Sequence, residues 1–139
     1  GSALSKPKGV PYRTSAAITA GIFGVLAACL WGAPELINLL LGIEAGDAAA
    51  VMMARAGVLF AAFASLLWAS RNEPPSYLRT QIAFAVVLAM LGLVLFGMVE
   101  LFAQRVGAGI TFAMAVEVLI AGLFLPHAKG GPDLPPTEN

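Results

Sequence analysis

Glu35, Arg55, Glu100 and Glu117 interrupt long apolar runs in this chain. Carboxyl groups in such surroundings can hold a proton, bind a cation, or pair with a base. Arg55 is the base at hand. It and Glu35 lie equally far from a turn near residue 45, so two antiparallel helices would bring them to one depth, about 10 to 12 Å below the outer membrane surface. The expectation is a Glu35–Arg55 salt bridge. Glu117 comes to about 12 Å and Glu100 to about 6 Å on the same reckoning. Asn38, one turn after Glu35, and Gln104, one turn after Glu100, extend this polar zone outward.

Fully ionised, one arginine and three glutamates carry a net charge of −2. Isolated charge costs a few kcal/mol near the middle of a membrane helix, so the excess must be relieved by protonation, water, a bound cation or a partner's basic group. Three readings follow. In the first, the bridge fixes a helix pair, Glu100 is hydrated and Glu117 is a neutral acid. In the second, the acids form a proton- or cation-coupled site. In the third, Glu100 or Glu117 meets another subunit.

Other chemistries lack their residues. The one histidine, His127, stands at the end of the last apolar run, which excludes a bis-histidine haem within the bundle and deprives a zinc site of ligands. No Gly-rich phosphate loop opens a helix: Gly130-Gly131 leads into a proline-rich tail. No catalytic residue, metal site or cofactor is expected, and an enzyme ranks below the binding and structural readings. No nucleic-acid partner is expected either.

The elements that hold these residues follow from hydropathy. The 139 residues are 59% hydrophobic and 12% charged, against about 25% charged in ordinary soluble domains. Four runs, about 14–43, 48–70, 80–102 and 106–126, each supply the roughly 20 residues that cross about 30 Å of hydrocarbon. Pro34 is expected to kink the first. Short connections make sequential helices antiparallel neighbours. The expected fold is an all-α integral membrane four-helix bundle, up-down-up-down, over 14–126, with polar tails at 1–13 and 127–139. Lys6, Lys8, Arg13, Arg71, Arg79 and Lys129 fall on one side and Arg105 alone on the other, which puts both termini in the cytoplasm. Tyr12, Trp68 and Tyr77 then fall at the cytoplasmic interface.

Membrane helices associate by close approach over small residues, because lipid is as apolar as leucine. Gly21, Gly24, Ala28 and Gly32 form such a stripe on the first helix, with Glu35 continuing it. Gly57, Ala61, Ser65 and Ala69 form one on the second, and Gly109, Ala113 and Ala121, with Glu117 between, one on the fourth. Leu26-Ala-Ala-Cys29 matches a bacterial lipobox, yet the apolar run continues past it, so Cys29 is expected to be a small helical residue.

Ala54-Arg55-Ala-Gly57, Trp68-Ala-Ser-Arg71 and Ala33-Pro34-Glu35 leading to Leu41-Gly42 resemble a pattern in small bacterial four-helix membrane proteins of unknown function, over roughly residues 30 to 125. That resemblance implies the fold and a bacterial inner-membrane location, and no activity. Small multidrug transporters also have four short helices and a membrane glutamate, but theirs lies near the middle of the first helix, whereas Glu35 lies near the outer end. The function expected is a non-catalytic accessory or assembly subunit of a larger membrane complex, packing through small-residue faces and polar tails. The alternative is a small homo-oligomeric transporter or channel, coupled to protons or cations through its glutamates. The lipid bilayer and other subunits, or further copies of the chain, are the expected partners.

Overall fold

Pro34 breaks the first apolar run in two. Proline lacks an amide hydrogen, crowds the carbonyl of the residue four before it, and drives its predecessor out of the helical region. Ala33 accordingly sits at φ −144°, ψ 58°. In the computed structural model, which describes residues 10–44 and 46–129, the helices are α1 (Tyr12–Gly32), α2 (Pro34–Leu41), α3 (Asp47–Ser70), α4 (Tyr77–Phe102) and α5 (Ile110–Ala128). The continuous, kinked helix expected over 14–43 is therefore two helices. The fourth helix begins at Ile110 rather than near residue 106, because the segment before it is engaged elsewhere: the Gly107 amide donates to the Leu41 carbonyl at 2.7 Å.

The protein is all-helical, with no strand among the described residues. α1, α3, α4 and α5 hold 21, 24, 26 and 19 residues and are apolar enough to cross a membrane. At 1.5 Å per residue they span about 28 to 39 Å. Of the residues that oriented the chain, Lys6 and Lys8 lie outside those described.

The closest associations are α1 with α3 and α4 with α5, and α1 also meets α5. Tyr12, Ala16, Ala20 and Phe23 of α1, Leu67 of α3, Ile82, Ala83, Val86, Val87 and Met90 of α4, and Ile120, Ala121 and Phe124 of α5 make one buried cluster. On α1 the buried residues recur at three- and four-residue steps from Tyr12 to Leu30, one face of a helix. That face also buries Ser15 and Thr19 completely.

Polar groups tie the cluster at the Tyr12 end. Tyr12 Oη and Ser70 Oγ share a hydrogen bond of 2.9 Å, and Ser70 Oγ also donates to the Leu67 carbonyl at 3.2 Å. The Tyr12 ring meets Phe124 and His127 edge-on, and the Arg79 guanidinium lies 4.8 Å above it. His127 Nε2 is 2.9 Å from the Val10 carbonyl, which ties the start of the described chain to the end of α5.

The small-residue stripes divide. Gly21, Gly24, Ala28 and Gly32 are exposed, and a Cβ on any of these three glycines would meet nothing within 4 Å. Among the described residues this stripe packs no helix, a correction to the expectation, because Ala, Phe and Leu on the opposite face of α1 fill the core. On α3, Gly57 is buried against the Trp31 ring, Ala61 is half-buried, and Ser65 and Ala69 are exposed, so that stripe works at one end only. The α5 stripe does lie at a contact. A Cβ at Gly109 would overlap the Leu40 carbonyl oxygen, and Ala121 is buried.

Candidate functional site

The break at Ala33 re-aims the eight residues of α2. Leu36 and Leu39 point outward, at 58% and 79% exposure, while Ile37, Asn38, Leu40 and Leu41 turn toward α1, α3 and α5. Gly42 ends the helix at φ 67°, a left-handed position that suits glycine, and its neighbour Ile43 donates its amide to the Asn38 carbonyl at 3.0 Å. The same glycine lies so close to Gly107 that an added Cβ would stand 2.6 Å from the Gly107 nitrogen. This contact closes α2 onto the connection before α5.

Beneath α2 is a cavity of about 580 Å³. Its polar lining is Asn38 from α2, Glu100 from α4 and Glu117 from α5; its apolar lining includes Leu26, Met52, Phe60, Leu93 and Ala113. A second cavity of about 380 Å³ continues from it, and the two share Leu26, Leu40, Phe60, Leu93, Ala113 and Glu117. Cys29, the chain's one cysteine, lines the second. Glu117 thus stands where the cavities join. Its Oε1 atom and Asn38 Oδ1 are buried without a hydrogen-bond partner. Among the described residues no Lys, Arg or His lines either cavity.

The six residues of the expected polar cluster are therefore divided. Asn38, Glu100 and Glu117 share one cavity, and Glu35, Arg55 and Gln104 stand outside it, all three exposed. The Glu35–Arg55 salt bridge is not formed, and neither side chain has an ion-pair partner among the described residues. The two residues are equally far from the hairpin in sequence, but the break at Ala33 turned α2 so that Glu35 is exposed. Gln104 serves the backbone: at φ 61° it is left-handed, and the Arg105 amide reaches back to the Glu100 carbonyl at 2.9 Å to end α4.

Asn38, Glu100 and Glu117 offer oxygen acceptors in a mostly apolar hollow, an arrangement suited to holding a proton or accepting a positively charged group. Among the described residues no three His, Cys, Asp or Glu side chains gather as metal ligands would. The cavity's apolar walls, Phe60, Leu93 and the two methionines Met52 and Met53, were not legible in the sequence. Apolar residues surround every membrane helix, so nothing marks those that face a hollow. Ala113 carried a signal, being one turn before Glu117 on the α5 stripe. No protein-family model, no curated protein and no solved structure matches this chain.

Proposed function

We propose that the chain is a non-catalytic accessory or assembly subunit of a larger complex in a bacterial inner membrane. Its four long helices run up-down-up-down with both termini in the cytoplasm. The observation that carries this reading is the outward face of α1. Gly21, Gly24 and Gly32 leave open space beside the helix backbone, and Ala28 is exposed with them. Small residues in lipid have no hydrophobic reason to face outward, and a second helix can approach such a face closely. The order of contacts supports the topology: Tyr12 meets Ser70 while Trp31 bonds Ala54, so later residues of α1 meet earlier residues of α3.

The test is recovery from native membranes in mild detergent, followed by mass spectrometry of what accompanies the chain. Wild type should bring stoichiometric membrane partners. Gly24→Leu, placed in open space, should leave the chain folded and lose them. A chain that travels alone in both forms would remove the reading.

The cavity favours a second reading, a homo-oligomeric proton- or cation-coupled transporter or channel in which Glu117 and Glu100 carry the coupling. It predicts flux from purified wild-type protein in liposomes, abolished by Glu117→Gln with folding intact. No flux from the isolated chain, with function recovered in a complex, would eliminate it.

A further inference from the structure

We propose that the outer face of the α1–α3 pair docks a second copy of this chain, with Glu35 of each copy against Arg55 of the other. This rests on the reading of α1's outward face as a contact surface, and it names the occupant. On α3, Arg55, Val58, Ala62, Ser65 and Ala69 recur at three- and four-residue steps and all are exposed. Met53, Ala56, Phe60, Phe63 and Leu67, on the opposite side of the same helix, line the cavity or pack the core. On α1, Gly21, Val25, Ala28 and Gly32 make the matching exposed row, opposite the face buried from Tyr12 to Leu30. Both helices bury their other side in one core, so the two rows share one side of the pair.

Their levels suit a two-fold. Tyr12 meets Ser70 and Trp31 meets Ala54, so Gly21, midway along that stretch of α1, is level with Ala62, midway along α3. A two-fold axis along the membrane normal preserves levels and sets α1 of one copy opposite α3 of the other. Gly21 of one copy then faces Ala62 of the other, and neither side chain hinders close approach.

Charge selects the occupant. Arg55 lies about 12 Å along α3 from Asp47, exposed and without an ion-pair partner among the described residues. Glu35, also exposed and without one, stands one turn beyond Trp31, whose ring bonds Ala54 beside Arg55. Cα–Cβ bonds tilt toward a helix's N-terminus, so Arg55 leans toward the start of α3 and Glu35 back toward α1, which narrows the gap between their levels. A lipid phosphate would answer Arg55 and repel Glu35. An unrelated helix answers both only by bringing an acid and a base at this height. A two-fold copy brings both, because each contact in such an interface is made twice. The pairing exists only between copies, so in micelles holding one chain each Glu35 and Arg55 stay uncoupled.

The test is disulfide cross-linking of the full chain, on a Cys29→Ser background, in phosphatidylcholine liposomes. Copies with Gly21→Cys mixed with copies with Ala62→Cys should join on oxidation, and copies with Leu119→Cys, exposed on α5, should stay at background. With the Gly21 and Ala62 cysteines in place, Glu35→Arg in both copies, or Arg55→Glu in both, should lower the yield roughly tenfold, a factor equal to about 1.4 kcal/mol. Glu35→Arg in one copy and Arg55→Glu in the other should restore it, because each swapped charge then meets its opposite. Should either swap fail to fold, judged by helicity, Glu35→Gln and Arg55→Gln carry the test, each lowering the yield. Cross-linking no greater than at Leu119 overturns the proposal, as does a yield that the charge changes leave intact or that mixing the two swaps fails to restore. No cross-link, with membrane partners still accompanying the chain from native membranes, removes this inference and leaves the accessory reading. The cross-link without other partners does the reverse.

Discussion

Thr19 Oγ1 is buried in the α1 face with no hydrogen-bond partner, although a helical threonine can usually reach a carbonyl of the preceding turn. An unmet buried hydroxyl is destabilising, and replacing it by a methyl group of similar shape removes the penalty. Thr19→Val should therefore raise stability by about 1 kcal/mol, read from unfolding in mixed micelles. A loss on that substitution would mean that the hydroxyl is engaged after all. Gly109 makes the opposite case, because any Cβ there overlaps the Leu40 carbonyl oxygen, which belongs to backbone and cannot swing away. Gly109→Ala should cost about 1 to 3 kcal/mol in the same assay. Gly21→Ala, in open space, should leave stability unchanged or raise it by up to about 1 kcal/mol through helix propensity. Equal effects at the two glycines would contradict the close approach of α2 to the start of α5.

At the scale of elements, the decisive feature is the separation of α1 from α2 at Ala33. It turns a residue that continues the glycine stripe in sequence, Glu35, away from the cavity and brings Asn38 in. With Glu35 and Arg55 both exposed and not paired with each other, Glu35→Gln and Arg55→Met should be additive within about 0.5 kcal/mol in a double-mutant cycle. A coupling well above that would restore the salt bridge. The start of α4 is fixed locally: Pro74-Pro75 ends the preceding turn, and Ser76 Oγ accepts the Arg79 amide at 3.1 Å. Arg71 is held near the end of α3, its guanidinium 3.8 Å above the Trp68 ring and bonded to the Trp68 carbonyl. Both basic residues are thereby kept beside aromatic rings, as suits the boundary of a membrane.

For the whole molecule, packing is uneven along the helices. The Tyr12 end is filled by the buried cluster and tied by the Tyr12–Ser70 and His127–Val10 bonds, whereas the region under α2 is hollow. Under the proposed orientation the filled end is cytoplasmic and the hollow lies in the outer half of the membrane. Single cysteines on a Cys29→Ser background check this. Asn72→Cys, in the connection from α3 to α4, should resist a membrane-impermeant thiol reagent in intact cells, and Gly46→Cys, before α3, should react. The reverse pattern would place the cavity on the cytoplasmic side.

The sequence by itself determined the number of the long helices, because about 20 apolar residues can satisfy their backbone in lipid only as a helix, and no tertiary contact is needed to say so; their bounds it did not, since the first ends at Gly32 and the last begins at Ile110. Which way a side chain faces was a different matter. Helices apolar all round carry almost no amphipathic signal, so the Gly21–Gly32 stripe, read as a packing face, proved to point outward, and Gly97 of α4, unmarked in sequence, is buried against Met114. The cavity was decided only by the tertiary structure. Residues of all five helices line it, brought together because Pro34 separates α2 from α1 and because Gly42, Gly107 and Gly109 let α2 approach the start of α5 closely.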